Sequence, residues 1–189
     1  MKITKEQLKV WEACTDGYKW FIEHYPSGEG EYQEILDALV AEERYSDAQW
    51  LLNNAGADKT AVLKIDGDLI APAVFFAGEI IVSGSIRVDL HVSAGLGIEA
   101  GCGIEAGCGI KAGLGIEAGW GIKAGLGIEA GCGIEAGDGI EAGDDFGIYA
   151  GLHIRLSRWS VAAKVSAKTK PNNLVSGHWV DKETAEVAE

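Results

Sequence analysis

From Ala94 to Gly143 the chain repeats Ala-Gly-x-Gly-Ile-(Glu/Lys) with a period of six residues. Isoleucine stands at Ile98, Ile104, Ile110, Ile116, Ile122, Ile128, Ile134 and Ile140 without a miss. The phase reaches upstream through Val74, Ile80, Ile86 and Val92. It reaches downstream to Ile148 and Ile154 after a two-residue insertion near Asp144 and Asp145. Internal repetition of this kind outranks every other signal in reading a fold. Side chains of an extended chain alternate with period two, so an even period keeps each isoleucine on one face. Six residues is not a whole number of 3.6-residue turns, and two glycines in every hexad oppose helix. A glycine-rich low-complexity linker would lack a periodic β-branched residue. The repeat therefore predicts a parallel β-helix: a short strand, Ile and Ala inward, Glu or Lys outward, and a bend at Gly-x.

The size of one coil sets which charges stack. Three hexads per coil, 18 residues, would align Glu99, Glu117 and Glu135; Glu105, Lys123 and Glu141; and Lys111 with Glu129. Two hexads, 12 residues, would align Glu99, Lys111, Lys123 and Glu135 on one side, and Glu105, Glu117, Glu129 and Glu141 on the other. Like charges stacked on adjacent strands repel. The longer coil interrupts one glutamate ladder with Lys123 and is preferred; the shorter stays open. Trp120 is too large for an inner corner and is expected to point outward as a contact residue.

The first 57 residues read as a helical unit. Thr4-Lys5-Glu6-Gln7 has the form of a capping box, with Leu8, Trp11 and Ile3 on one face. Asp16-Gly17 reads as a stop, and Tyr18 to His24 as a second helix ended by Tyr25-Pro26. Tyr32, Ile35, Leu36, Leu39 and Val40 give a third. Ser46-Asp47-Ala48-Gln49 reads as another capping box, opening a fourth helix that ends at Asn54-Ala55-Gly56. So small a unit buries little surface alone. Its many aromatic residues are expected to pack against the next segment rather than form a free partner-binding groove.

After the repeat, Arg155 to Val161 alternates like a strand, as do Val165 and Ala167. Pro171-Asn172-Asn173 reads as a turn before a returning strand through Leu174-Val175 and His178-Trp179-Val180. The residues beyond Asp181 read as a polar tail. The expected fold class is thus α+β: a helical unit over 1–57, a six-residue-repeat parallel β-solenoid over 58–154, and capping strands with a polar tail over 155–189.

The stretch Ile65-Asp66-Gly67-Asp68-Leu69-Ile70-Ala71, with Gly78-Glu79-Ile80 and Gly84-Ser85-Ile86, resembles bactofilins. That resemblance covers roughly residues 65–155 and implies a polymer-forming β-helix. The chain departs from that family in its helical N-terminal unit and its strict hexad. The run Trp11-Glu12-Ala13-Cys14-Thr15-Asp16-Gly17-Tyr18-Lys19-Trp20-Phe21, with Glu31-Tyr32 and Trp50-Leu51-Leu52, is similar to the front of uncharacterised phage and prophage repeat proteins. It implies a role in virus–host conflict, such as inhibition of a host defence nuclease. The hexad also resembles that of hexapeptide acyltransferases. Leu114, Trp120 and Leu126 break that family's small-residue position, and no histidine falls within the regular block.

The chemistry is sparse. Formal net charge is -13, so bulk electrostatics oppose binding to a phosphate backbone directly. Charge is uneven: residues 1–57 carry 11 acids and 5 bases, residues 58–152 carry 14 and 5, and residues 153–189 carry 4 and 6. No Cys-x-x-Cys pair is present among Cys14, Cys102, Cys108 and Cys132, and they read as reduced small hydrophobes in a cytoplasmic protein. No apolar run is long enough for a membrane span. No nucleophile–base pair, metal-ligand frame or cofactor fingerprint stands out, and the Gly-x-Gly-x-x-Gly pieces are by-products of the period. Asp138, Asp144 and Asp145 lack a calcium-loop frame and read as a solvated loop.

The expected function is that of a non-enzymatic interaction protein. Its candidate partner-binding residues are Glu99, Glu105, Glu117, Trp120, Glu129, Glu135 and Glu141, facing a nucleic-acid-binding host protein. A second candidate patch is the basic run Arg155, Arg158, Lys164, Lys168 and Lys170, whose plainer role is to guard a solvated edge strand. A self-assembling scaffold, or a homo-oligomer joined through Trp120, is the alternative.

Overall fold

A computed structural model describes residues 1–181. The N-terminal unit consists of strand β1 (Lys2–Thr4), helices α1 (Lys5–Val10) and α2 (Thr15–His24), strand β2 (Glu29–Glu31), and helices α3 (Tyr32–Ala41) and α4 (Tyr45–Ala55). The Thr4 capping box is formed: the hydroxyl accepts from Gln7 N–H, and Thr4 N–H donates to Gln7 Oε1 at 2.8 Å. Gly56, with φ of 72°, closes α4 as expected of a residue in that region.

Two of the expected boundaries are corrected. Asp16-Gly17 does not stop a helix; both residues lie in the first turn of α2, where Gly17 N–H donates to the Cys14 thiol at 3.3 Å. The stop falls earlier, where Glu12 takes φ of 58° and Ala13 N–H reaches back to Leu8 C=O. Ser46 is not a cap either. Glu43, also at φ of 58°, ends α3, so α4 begins at Tyr45. Arg44 then pairs with both Asp16 and Asp47, joining the first turns of α2 and α4. The short antiparallel pairing of β1 with β2, Ile3 opposite Gly30, gave no periodic signal in three-residue strands.

The remainder is a three-sided parallel solenoid. Strands β3 (Val62–Ile65), β4 (Leu69–Ala71) and β5 (Val74–Phe76) make the first coil, and each begins one sheet. β3 begins a face of seven strands, β4 one of five and β5 one of six. Ile98, Ile116 and Ile134 stack in register, as do Ile104, Ile122 and Ile140, and Ile110 and Ile128. This is the 18-residue coil; the two-hexad coil is excluded. Isoleucine and alanine fill the interior: Ile116 is 1% and Ala118 4% exposed. Each buried isoleucine stabilises the stack by about 2 kcal/mol.

The two glycines of each hexad do different jobs. A Cβ on Gly119 would lie 2.1 Å from the carbonyl oxygen of Gly101, one coil earlier, and Gly107, Gly113 and Gly125 face equivalent oxygens at 2.0 or 2.1 Å. The second glycine has room. A Cβ on Gly121 would meet nothing nearer than 3.5 Å, and one on Gly139 nothing within 4 Å. The same position, just before the inward aliphatic residue, carries Glu79, Ser85 and His91 in the early coils.

The helical unit docks on the side of the first coils, as its aromatic excess foretold. Phe75 points outward from β5 and is buried under the stacked ring of Tyr45, their centroids 6.3 Å apart. Gln33 on α3 donates to Phe75 C=O at 3.0 Å and accepts from Ala77 N–H at 2.9 Å. Those groups alternate with the ones that bond the next strand, so the Gln33 amide stands where a neighbouring strand's peptide would. It seals the free edge of β5. Gln33→Ala should cost about 1–3 kcal/mol, because the buried Ala77 N–H loses its acceptor. A lowered denaturation midpoint with faster hydrogen exchange at Ala77 would show this.

The C-terminal segment departs from expectation. Arg155 to Val161 is not a strand; Leu156–Arg158 is a 3₁₀ turn and α5 (Trp159–Ala162) follows it. Ile154 does not continue the ladder, since the five-strand face ends at Ile140–Glu141. Lys164–Ala167, Leu174–Ser176 and His178–Asp181 are strands, but all pair parallel and add to the existing faces. The open sheet edge left by Ile134 and Ile148 templates that direction, so the cap is a further irregular coil rather than a returning hairpin. The expected polar tail lies outside the described residues. No described helix is long and apolar enough to cross a membrane.

Candidate interaction site

The coil fixes what each face shows. The seven-strand face carries the outward ladder Lys64, Ile81, Glu99, Glu117, Glu135 and Ser166. The five-strand face carries Ile70, Arg87, Glu105, Lys123 and Glu141. The six-strand face carries Phe75, Ser93, Lys111, Glu129 and Tyr149.

Charge is balanced on two faces and unbalanced on the third. Lys111 pairs with Glu129 at 3.1 Å, Lys123 with Glu141 at 3.7 Å, and Arg87 with Asp68 at 3.2 Å. Glu105 stands between Arg87 and Lys123. On the seven-strand face Glu99, Glu117 and Glu135 stack directly with no salt bridge among the described residues. Glu79 joins them along a furrow of about 300 Å³ floored by Gly97, Gly115 and Gly133. Strands of one sheet are about 4.8 Å apart, so three like charges are held at a spacing that costs free energy.

The seven residues read as one candidate site are therefore dispersed. Glu99, Glu117 and Glu135 share a face. Glu105 and Glu141 lie on the five-strand face and Glu129 on the six-strand face, each beside a cation. Trp120 points outward, as expected, and is 60% exposed. It stands at the corner joining the seven- and five-strand faces and lines a furrow of about 470 Å³ on the five-strand side, floored by Gly103, Gly121 and Gly139.

The basic run does not form one patch on a strand. Arg155 flanks the 3₁₀ turn that contains Arg158, Lys164 opens a strand, and Lys168 pairs with Asp138, which holds its ammonium pKa above the usual value. All five of these cations are exposed at the C-terminal end. Cys102, Cys108 and Cys132 sit at three different corners, partly buried and free. Burial lowers the pKa of His91, whose Nδ1 accepts from Gly109 N–H. Among the described residues, no group of three or more His, Cys, Asp or Glu could hold a metal ion.

What sequence reading missed was the division between faces with and without compensating cations. Coil length decides it, and the hexad alone allows two lengths.

Residues 1–57 match the family model described as the YdhT N-terminal domain. No curated protein matches the chain, and no solved structure does. The chain thus combines an N-terminal helical unit similar to the YdhT N-terminal domain with a parallel β-solenoid.

Proposed function

We propose that this chain is a non-enzymatic interaction protein whose seven-strand face binds a basic surface of a partner protein. One observation carries the reading: Glu99, Glu117 and Glu135 are stacked without a cation, while the other two faces interleave theirs. A partner that lays Lys or Arg along the ladder relieves repulsion already built into the fold. A rigid row of carboxylates has the sign of a phosphate backbone, and one charge per coil approaches the roughly 3.4 Å rise per phosphate of one strand. The partner class is then a nucleic-acid-binding protein, and the role is inhibition by occupying its nucleic-acid site. The phage resemblance of the N-terminal run places that role in virus–host conflict and in the cytoplasm.

The scaffold alternative, with solenoids stacked end to end, is opposed by Gln33. The amide already occupies the edge that a second solenoid would need on β5.

The test uses the full chain immobilised in a bacterial lysate. Proteins retained at low salt should be released by high salt and by added duplex DNA. Glu99→Lys, Glu117→Lys and Glu135→Lys combined should retain none of them while circular dichroism is unchanged. Retention by that variant, or retention indifferent to salt, would count against the reading.

A further inference from the structure

We infer that the five-strand face is a self-association surface on which a second copy of this chain lies antiparallel. Four rungs of that face read Arg87, Glu105, Lys123, Glu141: positive, negative, positive, negative. Reversed, the series becomes its own complement. A two-fold axis across the face, between the Glu105 and Lys123 rungs, sets Arg87 against Glu141 of the second copy and Glu105 against its Lys123. Parallel placement would set like against like at every rung, so the charges choose the direction.

Shape follows the same two-fold. The corner beside this ladder stacks Gly84, Cys102, Trp120 and Asp138, joined rung to rung by backbone hydrogen bonds of 3.0 Å from Cys102 onward. Under the antiparallel operation Trp120 meets Cys102 of the second copy, and Asp138 meets its Gly84: large against small at both rungs. The floor next to the corner, Ser85, Gly103, Gly121 and Gly139, has no side chain larger than serine. The room left at Gly121 and Gly139 shows that the backbone does not require those glycines, and a bare floor is what a partner's indole needs. The peptide groups there are spent on coil-to-coil bonds, such as Ile104 N–H to Gly121 C=O at 2.9 Å, so the contact is made by side chains rather than by strand addition.

A second copy fits better than an unrelated protein because the required surface is specific. It must offer alternating charges at one-coil spacing beside a small residue opposite the indole, and the reversed face of this chain supplies both. Six residues per side at about 3.3 Å and four rungs at about 4.8 Å give about 400 Å² per copy. That is about half of a standard interface, so the dimer is reversible and concentration-dependent. This surface is separate from the acidic face, and either could fail without the other. An isologous pair of this kind closes on itself and does not grow.

Sedimentation velocity of the full chain over a concentration series at low salt should show monomer passing to dimer and no larger species, with added salt favouring monomer. Lys123→Glu should weaken the dimer by about tenfold or more, because it turns two attractive contacts per dimer into repulsive ones. Adding Glu105→Lys to that variant restores the alternation across the two-fold and should recover the dimer. Trp120→Ala should weaken it to a similar degree. A chain that stays monomeric to millimolar concentration overturns the inference. So does a dimer indifferent to Lys123→Glu, or a double variant that folds but does not recover.

Discussion

Gly119→Ala is expected to destabilise the solenoid by about 3 kcal/mol, while Gly121→Ala, two residues further on, leaves it as stable or slightly more so. Both glycines belong to one hexad, and composition does not distinguish them. The first lies under the previous coil: its N–H donates to Ala100 C=O at 3.0 Å, and a methyl group would stand 2.1 Å from the Gly101 oxygen. Neither atom can retreat, because both belong to backbone held by the ladder. Relief would require the coils to part, breaking bonds along a whole face. At Gly121 the nearest atom to a new methyl is 3.5 Å away, an ordinary contact. Alanine there loses less freedom on folding, which contributes about 0.4–1 kcal/mol. Denaturant midpoints of the two variants beside wild type would read the difference. Equal losses would mean that both glycine rows are structural, and the bare furrows would lose their functional interpretation.

The second large effect is expected in the core. Ile116→Ala should cost about 2–5 kcal/mol, since Ile116 is 1% exposed and stacks between Ile98 and Ile134 in a row of identical side chains. The interior is narrow and its neighbours are locked in register, so the cavity cannot collapse. A solenoid coil also touches only the coils beside it, so a weak coil divides the stack. Unfolding should therefore broaden or split into two transitions, with the coils on either side losing hydrogen-exchange protection separately. A single sharp transition with a shift under about 1 kcal/mol would show that the coils are not tightly packed.

Much of this architecture was legible because one residue recurred. The unbroken isoleucine and its even spacing gave strand, inward face and coil stacking, and Lys123 favoured the coil length that is found. The Thr4 box was legible for a different reason, since its two hydrogen bonds need only the residues at their own positions. Boundaries at Asp16 and Ser46 were not, because they depend on Glu12 and Glu43 taking positive φ where glycine is the usual choice. The role of Gln33 was invisible as well: a polar side chain on a helix acquires meaning only when β5, 42 residues away, presents a free edge to it. The candidate site was half legible. Its carboxylates could be named, but which of them stand beside a cation is a property of adjacent coils.

Closure of a coil by three hexads also governs how this chain can change in length. Repeats as alike as these invite loss or gain of units when their coding sequence is copied. Removing residues 113–118 would turn every later hexad onto the next side, so that Lys123 would follow Glu99 on the formerly anionic side and interrupt it. Removing eighteen residues would shorten the rod and leave each side's character unchanged. Viable length variants should therefore differ by whole coils, and a single-hexad variant would exchange the surfaces while keeping the fold.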